Sequence, residues 1–444
     1  MKIAALRPEQ STPAGVEHRI SIFEGDLGAL SHSSGHVGLS VANELFRWAG
    51  RSPSNIAWDF TALALGVVGA DRLINRSGTS ADGWTREIEL TVGVSDPHRW
   101  QGLTDKLVPM LSFLTGDFWS LNFVGGGYHP RPPKQIVGSR PETCVALLSG
   151  GLDSLIGAID METLGVEKPV YVSNRVRGDV AKQETFATRL NASSRLLSLN
   201  ADPRTSGVTA EISQRPRSIV FIAFAVLAAT LLDKYNDGEC VDLHTPENGF
   251  ISLNIPLTTM RRGSLSTRTT HPKFIEMLQD VFNDLGLKIQ LRNEYQLKTK
   301  GAMMSECREQ TLLAELAPKS MSCGRAGRSY THCGRCLPCL VRRSAFLKSA
   351  GRLDADRTTY IHPKVEDLVH GRVNNDFHGK AFAEYDDVMQ VMTALDFVDR
   401  NSARRWIGPH ITGSYFGNDA DSYRNVATKG LDEIGAFLEL TGLR

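Results

Sequence analysis

Long hydrophobic runs are missing from this 444-residue sequence. The longest covers residues 219–232, and a helix of that length is too short to cross the ~30 Å hydrocarbon core of a bilayer. A secretory or transit segment is also missing from residues 1–25, which mix Lys, Arg, Glu and Pro throughout. We therefore expect no membrane association, a cytoplasmic location, and a buried core helix at 219–232.

An excess of either charge is missing as well. The chain has 50 Lys and Arg against 49 Asp and Glu, so its formal net charge is +1. A surface that coats nucleic acid, or a disordered acidic tail, would require a strong imbalance. Nucleic acid is therefore not indicated as a partner, although a local basic pocket is compatible with this composition.

Glycine and proline are concentrated in one stretch, residues 125–134, which reads Gly-Gly-Gly-Tyr-His-Pro-Arg-Pro-Pro-Lys. Such a composition is typical of a linker. We predict an N-terminal α+β domain of unknown role at 1–125, a linker at 126–142, a second domain at 143–350 and a C-terminal extension, helical in character, at 351–444.

After the linker, short apolar segments alternate with helical patterns. The run 144–148 is wholly apolar, as in a central parallel strand that is buried on both faces. This alternation predicts a doubly wound α/β fold with a parallel sheet, whose ligands bind at the carboxyl ends of the strands. The predicted strands are 144–148, 169–172, 195–199 and 241–243, and the predicted helices are 153–164, 181–191 and 218–235.

A glycine turn follows the first of these strands. It consists of Ser149, Gly150, Gly151, Leu152, Asp153 and Ser154. At a helix N-terminus, unpaired backbone N–H groups and the helix dipole favour an anion, and the glycines allow close approach. Asp153 would hold Mg²⁺ or orient the loop, and Ser154 adds a hydroxyl donor. The loop lacks the Gly-Lys-Ser/Thr ending of a Walker A motif, which disfavours ordinary γ-phosphoryl transfer. The alternative is a glycine-rich turn without a ligand.

Cysteine is scarce but clustered, since five of the seven cysteines lie between 307 and 339. In a reducing compartment this density favours a metal site over disulfides. Four soft ligands in a C-x9-C-x2-C-x2-C pattern predict a closed structural Zn²⁺ site, with an iron–sulfur cluster as the alternative. The predicted ligands are Cys323, Cys333, Cys336 and Cys339, with Cys307 and His332 as possible substitutes. We interpret Cys144 and Cys240 as core residues.

The loop resembles the pyrophosphate loop of the N-type ATP pyrophosphatases, or PP-loop enzymes. Together with the cysteine pattern, it resembles the 7-cyano-7-deazaguanine synthase (QueC) family over about residues 140–350. Further similar stretches are Arg217-Ser218, Glu247-Asn248-Gly249, the segment 271–275, Thr299-Lys300-Gly301 and Ser322-Cys323. The resemblance implies a ligase that uses ATP and Mg²⁺ to adenylate a carboxylate such as that of 7-carboxy-7-deazaguanine, with release of pyrophosphate.

Two departures modify this expectation. The chain is about twice the length of QueC enzymes, and the acidic substrate stretch of that family is replaced by a basic loop that contains Arg261, Arg262 and Arg268. The layout is similar to the QueC-like proteins of the Qat anti-phage systems. That resemblance implies an operon-encoded protein partner, whose N-terminal amine, or ammonia, would be the nucleophile.

Three other residues are candidate nucleotide ligands, namely Asn174 near the expected adenine site, Arg217 and Lys300. The sequence shows no Cys nucleophile or His base for this chemistry. Other function classes stay open at this point: a housekeeping 7-cyano-7-deazaguanine synthase of queuosine biosynthesis, a tRNA-thiolating PP-loop enzyme, and a nucleotide-sensing scaffold without turnover.

Overall fold

The computed structural model describes residues 1–25, 34–49, 51–130, 139–176, 178–211, 215–257, 268, 270–324, 330–363, 387–401, 407, 411 and 416–444. Arg261 and Arg262 lie outside the described residues. The strands are β1 Lys2–Leu6, β2 His18–Ile22, β3 Ser34–Val37, β4 Glu87–Gly93, β5 Phe118–Val124, β6 Cys144–Leu147, β7 Pro169–Asn174, β8 Leu196–Leu199, β9 Arg204–Ser206, β10 Val241–His244 and β11 Ile289–Arg292.

The helices before the cysteine cluster are α1 Val41–Ala49, α2 Asn55–Leu73, α3 Arg76–Thr79, α4 Pro97–Gln101, α5 Thr104–Thr115, α6 Leu152–Leu164, α7 Val180–Arg189, α8 Arg217–Ala229, α9 Asp233–Asn236, α10 Gly249–Ser252, α11 Pro272–Asp284, α12 Lys300–Glu306 and α13 Gln310–Leu316. The helices that follow are α14 Leu337–Ala350, α15 Asp387–Asn401 and α16 Ala420–Leu440.

The first sheet has the strand order β5-β4-β1-β2-β3-β9. All neighbouring strands from β5 to β3 are parallel, and only β9 is antiparallel. Our expectation of an α+β arrangement in residues 1–125 is therefore wrong, because this region forms a parallel sheet. The physical reason is that α1 and α2 connect β3 to β4, and α4 and α5 connect β4 to β5, as parallel pairing requires.

The second sheet is wholly parallel, with the order β11-β10-β6-β7-β8. Strand order reverses between β6 and β10, since the chain runs outward from β6 through β7 and β8 before it returns to β10. This confirms the α/β class and the parallel sheet. In such sheets the crevice at the carboxyl ends of the two strands at the reversal is the usual ligand position.

One hydrophobic core extends through both sheets. It contains side chains of α2, such as Phe60, together with side chains of α8 and α11, and Phe60 meets Phe282 edge to face. Strand β9, which follows the predicted linker in the sequence, pairs with β3 in the first sheet. Within the predicted linker, Tyr128 is buried and stacks on Phe23. The predicted boundary at 126–142 therefore lies beside a core that residues on both sides share.

The C-terminal segment is helical, as expected, and packs on the second half of the chain. Helix α16 passes so close to Phe250 that a Cβ at Gly430 would lie 2.2 Å from the ring. Side chains of α14, α15 and α16 share a small apolar core with Phe250. No helix within the described ranges has the length and apolar character needed to cross a membrane.

Candidate functional site

A cavity of about 690 Å³ opens at the carboxyl ends of β6 and β10. The turn after β6 and the residues after β10 form two of its walls, so the cavity occupies the point where the strand order reverses. The predicted site residues that line it are Ser149, Gly151, Leu152, Asp153, Ser154, Asn174, Arg217, Lys300, Cys323 and Cys336.

The turn between β6 and α6 is held by its own serines. The Ser154 hydroxyl lies 3.0 Å from the Ser149 hydroxyl and accepts a hydrogen bond from the Ser149 N–H at 3.2 Å. Gly150 has φ +87°, a conformation that side chains other than glycine rarely adopt. Gly151 caps α6, and the first N–H groups of a helix have no carbonyl partner within it. The turn therefore presents amides and hydroxyls at the cavity wall, which is suitable for an anion.

Asp153 is a buried charge of the site with two close partners. One oxygen lies 2.8 Å from the Lys300 ammonium, and the other accepts the Asn248 side-chain N–H at 2.7 Å. Burial raises the pKa of the Asp153 carboxyl, but the Lys300 ammonium and hydrogen bonds from Glu247 and Asn248 outweigh burial and lower it below its ordinary value. Asp153 is therefore ionised, and its two partners fix the orientation of its carboxylate.

Glu247 faces the same carboxylate and keeps some exposure to the cavity. Burial, the neighbouring Asp153 charge and the hydrogen bond between the two carboxyls raise the pKa of Glu247 well above its ordinary value. Two carboxyls this close hold one proton between them while no further cation is present. A divalent cation would replace that proton, because carboxylate oxygens are the ligands that Mg²⁺ prefers. Asp153 and Glu247 are therefore the residues of this cavity that could hold a divalent cation such as Mg²⁺.

Lys300 is positioned by the C-terminal segment. It is the first residue of α12, whose N-cap Thr299 accepts the Ala302 N–H at 3.0 Å. The Thr299 hydroxyl in turn donates to the Glu433 carboxylate of α16. Burial raises the pKa of Glu433, while Thr299 and the Gly301 N–H lower it in part, and the balance lies above its ordinary value. The position of the α12 N-terminus, which carries Lys300, therefore depends on α16, a helix outside the region that resembles QueC.

Asn174 at the end of β7 and Arg217 at the start of α8 also line the cavity. Asn174 is 8% exposed, and its Oδ1 has no hydrogen-bond partner among the described residues. Arg217 lies 3.9 Å from the Asp179 carboxylate. An amide oxygen without a donor and a half-exposed guanidinium could bind the amino group and the phosphates of a nucleotide, respectively.

The four predicted cysteine ligands come together as expected. Their sulfurs all lie within 4.8 Å of one another, with 3.8 Å between Cys323 and Cys336 and 3.9 Å between Cys333 and Cys339. Four sulfurs at ~2.3 Å from a tetrahedral Zn²⁺ would be about 3.8 Å apart. Gly334, at φ +90°, makes the tight turn between the second and third ligands. This four-cysteine cluster could therefore hold a metal such as zinc.

The four-cysteine cluster is joined to the glycine turn by a short segment, residues 320–322. The Met321 N–H donates to the Gly150 carbonyl at 2.9 Å, and the Ser322 N–H donates to His332 Nε2 at 3.1 Å. The buried Arg342 guanidinium donates to the Ser320 hydroxyl at 2.9 Å. Contacts that hold Cys323 in place therefore also stabilise the backbone segment that supports Gly150.

Several predicted residues lie elsewhere. His332 accepts a backbone hydrogen bond and Cys307 is buried in another apolar cluster, so neither joins the four cysteines. Cys144 is buried, as expected, but Cys240 is exposed, because it precedes β10 instead of lying within it. Arg268 donates to the Phe113 carbonyl at 2.8 Å and does not line the cavity.

Other wall residues carry no local signal in the sequence. Arg215 lies over the ring of Trp84, with 4.3 Å between the guanidinium carbon and the ring centre, and Asp179 faces Arg217. Burial and the neighbouring Arg76 lower the pKa of Arg215 to about 10. Only tertiary contacts bring these residues to the cavity.

No protein-family model matches this chain, and neither a curated protein nor a solved structure is significantly similar to it.

Proposed function

We propose that this protein is an ATP-dependent ligase that adenylates a carboxylate and releases pyrophosphate. The observation that carries the proposal is the arrangement of Asp153, Lys300 and Glu247 beside the helix N-terminus of the glycine turn, within one cavity. Amides, a buried ammonium and a carboxyl pair are the groups that a Mg²⁺-bound triphosphate needs.

The proposed binding mode follows from the charges. The triphosphate lies against the amides of the turn and the hydroxyls of Ser149 and Ser154. When bound, Mg²⁺ neutralises charge on the departing pyrophosphate. Lys300, which contacts Asp153, would also contact the phosphates, and Arg217, which lines the same cavity, would add a second cation. The Asn174 side-chain oxygen would accept a hydrogen bond from the exocyclic amino group of adenine.

The proposed reaction has two steps. A carboxylate oxygen of the substrate attacks the α-phosphorus of ATP, and the bond to the bridging oxygen of the β-phosphate breaks, so pyrophosphate leaves. An amine then attacks the acyl carbon, the carbon–oxygen bond to AMP breaks, and the amine loses a proton. Adenylation is needed because a free carboxylate has no usable leaving group, whereas AMP is a good one.

We propose a deazaguanine carboxylate as the substrate class. Phe221, Phe250 and Ile255 give the cavity an apolar wall on which a flat heterocycle could lie. The QueC-like resemblance supports this choice, and the similarity to Qat-type proteins supports an operon-encoded partner and a role in anti-phage defence. Ammonia or the N-terminal amine of that partner would complete the reaction.

The first test is release of pyrophosphate from ATP and Mg²⁺, with and without 7-carboxy-7-deazaguanine, together with exchange of labelled pyrophosphate into ATP. We expect both signals to require the carboxylate. Asp153→Asn should lower them by about 10²-fold or more, because it removes the negative charge that would hold Mg²⁺ and that orients the Lys300 ammonium at the reacting phosphates.

The matched control is Asp160→Asn. Asp160 is on the same helix but accepts the Tyr295 hydroxyl at 2.7 Å and does not line the cavity. This variant should keep pyrophosphate exchange. An absence of pyrophosphate release from the wild type under all of these conditions, including with candidate partners, would contradict the ligase proposal.

One observation favours a second candidate, a sulfur-transferring PP-loop enzyme, because Cys323 and Cys336 line the same cavity. Such an enzyme would use an iron–sulfur cluster or a reactive cysteine near the loop. The mutual closeness of all four sulfurs, within 4.8 Å, favours a single tetrahedral ion instead, since the cysteines of an iron–sulfur cluster are divided among two or four irons. Elemental analysis that finds iron and sulfide in place of zinc would support the second candidate.

A further inference from the structure

A second group of metal-binding side chains lies outside the cavity and the four-cysteine cluster. Cys144 Sγ, a Glu167 carboxylate oxygen and a His244 ring nitrogen are all within 4.8 Å of one another. They come from different parts of the second sheet, since Cys144 begins β6, His244 ends β10 and Glu167 precedes β7. Thiolate, imidazole and carboxylate are the three ligand types that bind Zn²⁺ in proteins.

The His244 ring is the observation that points to a ligand. The residue is 7% exposed, and its Nε2 makes no hydrogen bond of acceptable geometry, although the Glu167 carboxylate is only 3.1 Å away. Buried polar atoms are almost always hydrogen-bonded, so such an atom requires an explanation. A cation between Nε2 and the carboxylate oxygen would supply one.

The other ring nitrogen is already oriented as in a metal site. His244 Nδ1 lies 2.6 Å from the Glu294 carboxylate. Histidine ligands of metals characteristically donate their second N–H to a carboxylate, which fixes the tautomer and leaves the other nitrogen free for the metal. Glu294 thus has the position of an outer-shell partner and is not itself part of the ligand group.

We propose that Cys144, Glu167 and His244 form a second metal site that binds Zn²⁺ through one sulfur, one nitrogen and one oxygen. Ligand atoms around a tetrahedral Zn²⁺ lie about 3.3–3.8 Å apart, so the three side chains close around an ion by small rotations. Three protein ligands leave the fourth position for water. The ion would connect β6, the segment before β7 and the end of β10. Because His244 lies three residues before Glu247, the ion would also hold the end of β10 that leads into the cavity.

The test is metal content of the full-length protein after incubation with Zn²⁺ and removal of free metal. The wild type should retain one zinc equivalent more than His244→Gln or Cys144→Ser, in addition to the zinc of the four-cysteine cluster. Glu167→Gln provides a variant at a partly exposed position, so that loss of the ion can be separated from loss of folding, which circular dichroism monitors. Glu294→Gln should weaken zinc binding at this site about 10–100-fold.

The matched control is Cys240→Ser, since Cys240 is exposed, lies next to β10 in the sequence and is outside the group. This variant should keep the full zinc content. Replacement of zinc by Co²⁺ gives an independent measurement, because Cys144→Ser should remove part of the thiolate-to-cobalt absorption and Cys240→Ser should not. The proposal is overturned if the wild type and the folded His244→Gln and Glu167→Gln variants retain equal zinc. In that case a protonated His244 is held between two carboxylates without a metal.

Discussion

The buried ion pair between Lys300 and Asp153 gives a quantitative prediction for the substitution Lys300→Met. The two side chains are only 7% and 6% exposed, and their charged atoms are 2.8 Å apart. Methionine keeps the length of the side chain but removes its charge, so a buried carboxylate remains beside Glu247 without a counter-ion. Removal of one partner of a buried pair typically costs about 3–5 kcal/mol.

Asp153 can reduce this cost by binding a proton, so we expect the free energy of unfolding at pH 7 to fall by about 3 kcal/mol, at the lower end of that range. Asp153→Asn introduced into the Lys300→Met protein removes the isolated charge and should restore about 2 kcal/mol, because charge-free replacements of buried pairs are tolerated. The assay is urea denaturation followed by the fluorescence of buried tryptophans such as Trp58.

The matched control is Lys298→Met. Lys298 is two residues away and lies 2.7 Å from Glu306, but these side chains are 38% and 56% exposed. Exposed pairs contribute only about 0–1 kcal/mol, so this variant should be nearly as stable as the wild type. The reasoning is wrong if Lys300→Met is no less stable than Lys298→Met, or if the added Asp153→Asn restores nothing.

Two further predictions concern a backbone conformation and a buried histidine. Gly150→Ala should cost about 1–2 kcal/mol, because φ +87° disfavours a Cβ, and should also weaken ATP binding; Gly165→Ala, at φ +63° after α6, should be destabilised without a change in ATP binding. Burial and the neighbouring Arg268 lower the pKa of His271 to about 3, so the folded state binds fewer protons than the unfolded state between pH 6.5 and 3. The contribution of His271 to stability should therefore fall as the pH decreases through this window, by at most about 1.4 kcal/mol per pH unit. His271→Asn, which keeps an N-cap of α11, should make the pH slope shallower by that amount in urea denaturation measured at several pH values. Equal ATP binding by the two glycine variants, or an unchanged pH slope in His271→Asn, would contradict these predictions.

The local parts of the site could be predicted from the sequence because their signals are local. An apolar strand, a glycine turn and a helix follow one another within 144–164, and the structure shows these elements at β6 and α6. The cysteine spacing similarly predicts the set of metal ligands, since three of the four cysteines lie within seven residues, 333–339. Backbone geometry over such short distances is set largely by residue type and spacing.

The parts that were missed depend on residues far apart in the chain. Glu433 contacts Thr299 across 134 residues, and no periodic pattern predicts that contact. The sequence correctly predicts a buried Cys144 in an apolar strand, but a strand pattern does not reveal that His244 lies on the neighbouring strand β10. The parallel pairing of the first sheet was missed for a related reason, because strand patterns show burial of each face and do not show the direction of the neighbouring strand.

Strand β9 has a consequence for how the chain can be divided. Its hydrogen bonds to β3 protect an outer edge of the first sheet with residues that follow the predicted linker. A fragment that ended near residue 130 would leave those N–H and C=O groups open for pairing with another molecule, which is a common origin of aggregation. Truncation before β9 should therefore yield an insoluble fragment. Any ligand of the second sheet should also raise the melting temperature of the first, because the free energy of binding is shared by all parts that unfold together.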